Sequence, residues 1–381
     1  MKAIINAKIY TVTKGVIEKG AVLYDGGTIL EVGSDIGIPA SAEKIDASGL
    51  LLTSGLIDVH THMFLMHGHE TMPGHQDYNE GIDASTPQIR ALDALNPFDA
   101  ALEPVRAAGF TTCYTGPGSA NVIGGRGCSF KLRGRTADEM FIEGSEQMKM
   151  ALGENPKRFY GLNGKSPVTR MGSAAIAREY FNKAIEYADK KDAGKEPAYD
   201  AKLEALVPVV RGQMKVRIHS HQADDIATAL RLAKEYKLPF AIEHCTEGWK
   251  IADVLAEADA WCVVGPLLVP PVKKELWGAR LETAGILDAA GAHVCLTADG
   301  GWDTQFLPSY AGFAIRRGLS WDSALKALTI NPATVMGLEK RVGSLEPGKD
   351  ADFALWNGDP FCNYSECVMT VIDGETLSDR R

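Results

Sequence analysis

Between residues 55 and 338, eight short apolar runs recur with helix-like segments between several of them, and this alternation limits the chain to few architectures. The runs are GLIDVHTH (55–62), GFTTCYT (109–115), CSFKLRG (128–134), MKMALGE (148–154), VRIHSH (216–221), FAIEHC (240–245), WCVVGPLL (261–268) and HVCLTADG (293–300). Segments such as DIATALRLAKEY and KIADVLAEAD lie between them. Strand–helix alternation predicts an α/β chain with a parallel sheet and helical crossovers. Eight runs suggest a closed (β/α)8 TIM-like barrel, with the third run weak and a doubly wound open sheet as competitor. The barrel is favoured because metal-type residues end many of the runs rather than meeting at one switch point.

The two ends of the chain read differently. KAIINAKIYTV alternates, and AVLYDGGTILEVG carries Asp25-Gly26-Gly27 between two β-rich runs. Near the other end, DADFALWNGDP precedes CVMTVIDGETL, whose Asp373-Gly374 marks a second hairpin. The expectation is a small β-sandwich domain built from residues 1–54 and 339–381, flanking a barrel of 55–338; two independent hairpins are the alternative. Residues 186–211 read as a polar insertion, a solvated helix and loop before the fifth strand.

Charge and cysteine content narrow the function classes. The formal net charge of −9 argues against nucleic acid or an anionic membrane as main partner, because both need a basic footprint. Seven scattered cysteines without a CxxC pair give neither a disulfide framework nor a zinc finger. They read as small hydrophobes in a reducing compartment. The first residues lack a signal-like basic and apolar pairing, and no run reaches the length of a membrane span. A cytoplasmic location is expected.

Histidine is the unevenly distributed residue. Five of nine, His60, His62, His67, His69 and His75, fall within sixteen residues. His60 and His62 close the first run, and residues two apart in a strand face the same side. Alone, such a pair is weak evidence. Here His219 ends the fifth run, His244 the sixth and Asp299 the eighth. Imidazoles and a carboxylate converging at the mouth of one barrel would suit a divalent first-row metal.

The motifs SGLIDVHTHMF, IEHC, LTADGG and TINPATVMGLEKRVGSLEPGKDADFALW, in this order over nearly the whole chain, resemble the metal-dependent amidohydrolase superfamily, in its imidazolonepropionase-like and prolidase-like branches. The resemblance implies that His60, His62, His219, His244 and Asp299 bind one or two divalent ions, zinc first, with iron, manganese or cobalt as alternatives. It implies a strand-four ligand as well. Lys149, carbamylated by carbon dioxide, would bridge two ions; Glu154 on the same run is the competing ligand, five residues on. The implied reaction is hydrolysis of an amide or cyclic amide in a small molecule. The metal lowers the pKa of bound water to near 7, and Asp299 serves as general base and acid.

Other residues are second-tier candidates. His221 shares the inward face of His219 and is a candidate to contact substrate or polarise its carbonyl. His67 is a substrate-lining candidate in the loop MHGHETMPGH, where at least two histidines are expected to be merely solvated. Arg170 is placed to clamp a substrate carboxylate. Residues 116–127 (GPGSANVIGGRG) lack a full phosphate-binding pattern and read as a mobile loop. A mononuclear deaminase of the same fold is the main rival, with Glu247 as its proton donor; a non-catalytic scaffold is a weaker one. Homo-oligomer formation is expected by analogy alone.

Overall fold

A computed structural model of the chain describes residues 1–66 and 76–381. Five strands come first: β1 (Lys2–Tyr10), β2 (Val16–Asp25), β3 (Thr28–Gly33), β4 (Glu43–Asp46) and β5 (Leu51–Ser54). Eight follow: β6 (Leu56–Thr61), β7 (Phe110–Thr115), β8 (Ile123–Lys131), β9 (Gln147–Ala151), β10 (Val216–Ser220), β11 (Phe240–His244), β12 (Trp261–Val264) and β13 (His293–Leu296). The last three are β14 (Phe353–Trp356), β15 (Cys367–Ile372) and β16 (Glu375–Asp379). They form two sheets, ordered β16-β15-β14-β5-β1-β2-β3 with β4 beside β1, and β13-β12-β11-β10-β9-β8-β7-β6. The first sheet thus interleaves strands from both ends of the chain.

The second sheet is a nearly closed eight-stranded barrel, one strand on each expected run. Thr61 and Asp299 form a parallel bridge that brings its two edges together, and the His62 N–H donates to the Asp299 carbonyl at 3.0 Å. Along β10, Val216 and Ile218 pack outward into the core shared with the helices. Arg217 and His219 alternate with them and turn the other way, as strand periodicity requires. Ile57, Val59, Tyr114, Ala241, Val263 and Cys295 belong to a separate buried cluster.

The barrel departs from expectation at its third strand. β8 is antiparallel to both β7 and β9. Only residues 116–122 join β7 to β8, too few for the helical crossover a parallel pair needs. The glycine-rich segment is accordingly not a loop throughout: residues 123–127 lie in β8. Gly127 is dictated by packing, since a Cβ there would lie 2.2 Å from Tyr114 Oη. The polar insertion holds the end of a helix, Arg170–Asp192, and the whole of another, Ala201–Val210. Buried Ala174, Ala177, Phe181, Ala184 and Ala188 recur at helical spacing and dock the first of these helices. No helix among the described residues is long and apolar enough to cross a membrane.

One buried cation ties the two sheets together. Lys131 Nζ, at the end of β8, lies 2.6 Å from Asp352, 2.9 Å from Asp350 and 3.1 Å from Asp373. Burial pushes the Asp352 carboxyl up, and Lys131 only partly opposes this. Lys131→Met is expected to cost about 3–5 kcal/mol of stability at neutral pH, the usual penalty for stranding a buried charge. The loss should shrink on acidification. A carboxyl whose pKa is raised in the folded state binds protons more readily there than when unfolded, so folding gains as pH falls. Urea unfolding of both proteins across acidic pH checks the size and the sign.

Candidate metal centre

Five segments deliver side chains to one end of the barrel. His60 and His62 come from the end of β6, Lys149 from β9, His219 and His221 from β10 and just beyond, His244 from β11, and Asp299 from the turn after β13. Two groups form. His60, His62 and Asp299 each offer one ligand atom within 4.8 Å of the others, and so do His219, His221 and His244. Asp299 Oδ1 lies 3.1 Å from His60 Nε2 and 3.6 Å from His62 Nε2. The rings of His60 and His244, 5.2 Å between centroids, join the groups, and Lys149 Nζ lies 3.5 Å from His60 Nε2.

The partners of the far ring nitrogens fix the tautomers. His62 Nδ1 lies 2.8 Å from the Gly116 carbonyl and His244 Nδ1 2.8 Å from the Gly265 carbonyl. A carbonyl only accepts, so both Nδ1 atoms carry the proton and both Nε2 lone pairs face the centre. Burial reinforces this by pushing His62 down to about 3 and His244 to about 4, while His219 and His221 sit well below the usual imidazole range for the same reason. His60 differs: burial pulls it down, but the Glu243 carboxylate 2.9 Å from its Nδ1 helps leave it raised. Burial also brings Lys149 down to about 8. Asp299 is held well below the carboxylate range because His244 and then His60 outweigh its burial.

The donor set fits a divalent metal. Asp299 Oδ1 and His219 Nδ1 are buried polar atoms without a hydrogen-bond partner, and neutral imidazoles with a carboxylate are ordinary ligands of such ions. The backbone is strained at the same places. His244, Cys245 and Asp299 have φ of 69°, 47° and 71°, the left-handed region that non-glycine residues occupy at a cost.

Residues not singled out from sequence support this centre. Arg217 and Glu243, both fully buried, form an ion pair beneath His60. Arg217 also donates to Gln147 Oε1 at 3.0 Å and to the Val59 carbonyl at 2.7 Å. Asp58 accepts from Thr297 and Thr304 hydroxyls and from the His60 N–H, tying β6 to the segment that carries Asp299. On the segment after β12, Glu275 Oε1 lies 3.6 Å from Nε2 of both His219 and His221 and 2.6 Å from Lys273 Nζ. The one legible signal was a charged residue inside an apolar run, at Asp58, Arg217 and Glu243.

Other candidates lie elsewhere. Glu154 starts the helix Glu154–Leu162, and its carboxylate pairs with Arg158 at 3.7 Å in a separate cleft. Gly153, at φ 83°, breaks the strand and turns Glu154 away from Lys149. Arg170 lines that cleft too, and its guanidinium is paired with Asp225 at 2.9 Å and with Gln222. Glu247, the proton donor of the deaminase alternative, accepts from the Ala223 N–H at 3.1 Å and from Lys250 at 2.6 Å. His67, His69 and His75 lie outside the described residues. A cavity of about 460 Å³ opens over the centre, lined by His62, His219, His221, His244 and Asp299, with Tyr78, Asn155, Lys273 and an apolar wall including Leu268 and Val272.

Comparison with known proteins places this geometry. The family model "Amidohydrolase family" matches residues 209–377. A crystal structure of an amidohydrolase from Thermotoga maritima MSB8 superposes with a TM-score of 0.95 at 40% identity, covering 100% of both chains. The imidazolonepropionase of Sphingopyxis alaskensis is 26% identical over 93% of this chain and 91% of its own. Amidohydrolase tasK of Hapsidospora irregularis is 29% identical over 94% of this chain, which spans 40% of that longer protein. Strand order, the convergent histidines and these likenesses agree: the chain belongs to the amidohydrolase family, hydrolases of carbon–nitrogen bonds, in its imidazolonepropionase-like branch.

Proposed function

We propose that this protein hydrolyses an amide or cyclic amide of a small molecule at a divalent metal centre, zinc first among the metals its donors suit. The observation that carries the reading is the convergence of two three-ligand groups at the floor of one cavity. His60, His62, His219, His244 and Asp299 would hold the metal. When bound, it supplies a polarising charge for the scissile carbonyl and acidifies a water molecule. The chain's residues do the rest. Asp299, kept ionised by its histidine neighbours, accepts the proton of the attacking water and returns it to the leaving nitrogen. Gly116 and Gly265 carbonyls keep His62 and His244 aimed at the centre. The apolar wall shields the reacting carbonyl from bulk water.

Lys149 belongs to the same reading. An amine with its pKa brought to about 8 is unprotonated often enough to add carbon dioxide, losing a proton and becoming a carbamate that replaces a buried positive charge with a bridging anion. We also read residues 1–54 and 339–381 as one composite β-sandwich unit on the barrel of 55–338.

The experiment has two arms. Chelator-treated protein should lose hydrolysis of a panel of lactams, imidazolones, N-acyl amino acids and dipeptides, and zinc should restore it. Isotopically labelled bicarbonate should give a carbamate resonance that vanishes in Lys149→Arg. Full activity in metal-free protein would sink the metal-centre reading, and ammonia release without amide cleavage would sink amide hydrolysis in favour of deamination; an unlabelled wild type would sink the carbamate alone.

A further inference from the structure

His221 is one histidine more than the family pattern requires, and its surroundings are those of a cation. Its Nε2 faces Lys273 Nζ at 3.4 Å. The ammonium can only donate, so it points a proton at the Nε2 lone pair, and Nδ1 must then be the protonated nitrogen that donates to Thr246 Oγ1 at 2.7 Å. The same ammonium lies 2.6 Å from Glu275 Oε1 and 3.3 Å from Asn155 Oδ1. An imidazole nitrogen, a carboxylate and an amide oxygen around one positive charge are ligands that would serve a metal ion equally well.

The two other imidazoles stand close by. The ring of His221 stacks on His244 with centroids 4.4 Å apart, and His219 lies 4.6 Å from His221 and 4.4 Å from His244. All three rings are nearly inaccessible to solvent. His219 Nδ1 has no hydrogen-bond partner, although a buried polar atom of this kind is ordinarily satisfied.

We propose that His219, His221 and His244 form an ion site of their own, and that the Lys273 ammonium is its built-in competitor, holding the cation position until a divalent ion displaces it. The proposal rests on the metal-centre reading above and adds to it a third imidazole and a lysine that sets occupancy. Because three neutral imidazoles carry no charge, the charged groups around them set the site's charge: Asp299 and Lys149 act on His219 and His244, and Glu275 and Lys273 flank His221. Moving Lys273 aside leaves Glu275 as the anion facing the incoming ion.

The test is zinc titration into the metal-free full-length protein, followed by competition with a chromophoric chelator. His221→Ala should weaken one bound ion by roughly 10–100-fold or more, and Thr246→Val, which loosens His221 without removing it, by about 10-fold. Lys273→Met should act in the opposite direction. Removing a positive charge a few ångströms from the ion tightens the same site by about 10-fold or more. That gain is the decisive readout, because a lysine serving only to position substrate would leave zinc affinity unchanged. Unaltered zinc affinity in either His221→Ala or Lys273→Met overturns the proposal. A wild type that binds no zinc at all fails the metal-centre reading itself, whereas normal wild-type binding with unaffected variants fails only this one.

Discussion

Asp299→Asn is expected to reduce turnover by about 10²–10⁴-fold, the range general acid–base catalysis supplies, while leaving the fold and much of the bound metal in place. The amide keeps the shape of the carboxylate and can still contribute an oxygen toward His60 and His62, which lie 3.1 and 3.6 Å from Oδ1. It cannot take a proton from water. Asparagine is also the replacement that the backbone tolerates, since φ is 71° at this position and asparagine visits the left-handed region more readily than most residues. Asp299→Ala would confound the loss of the carboxylate with strain. The comparison to make is kcat against zinc content for wild type and Asp299→Asn. An asparagine variant that turns over at nearly the wild-type rate, with zinc content unchanged, would remove Asp299 from the chemistry.

Arg217→Met should destabilise the barrel strongly, by about 3–5 kcal/mol. Arg217 has no solvent exposure, stacks over the Tyr114 ring at 4.5 Å and holds Glu243, Gln147 and the Val59 carbonyl at once. Burial drives the Glu243 carboxyl up, and Arg217, with His60 and Lys149 behind it, more than reverses this. Methionine fills much of the volume but leaves Glu243 charged, buried and without its guanidinium. Since Glu243 lies 2.9 Å from His60 Nδ1, the centre should loosen with the fold. Adding Glu243→Met should return part of the lost stability, because an apolar pair of similar size is often as stable as the ion pair. Urea unfolding of the wild type, both single variants and the double variant measures the coupling. A double variant no more stable than Arg217→Met alone would mean that the uncompensated carboxylate is not the cause.

The eight barrel strands were legible because strands covered on both faces read as continuous apolar runs. The convergence of the candidate ligands was legible for a related reason: a polar residue closing such a run has nowhere to point but into the barrel mouth. Strand direction is not written in a run. That β8 is antiparallel follows from the length of residues 116–122, not from the composition of either strand. Arg217 and Glu243 were overlooked because a charged residue in a strand ordinarily signals an edge, and only the parallel register of β10 with β11, which sets Arg217 beside Ala241 and Glu243 beside His219, makes them diagonal neighbours on one face. Glu275 and Lys273 lie on a segment between β12 and the next helix, whose path over the cavity no periodicity encodes. Glu154 was set against Lys149 by counting along a strand, whereas Gly153 ends that strand first.

The bridge between Thr61 and Asp299 has a consequence for the timing of synthesis. The two halves of the first ligand group, His62 and Asp299, are 237 positions apart in the sequence, and they meet only when the last barrel strand docks on the first. A nascent chain with seven strands in place already carries His60, His62, His219, His221 and His244, but not the carboxylate that completes the set. On the proposed function, the seam that closes the cylinder would also be its safety catch, since the full donor set assembles only when the barrel is whole.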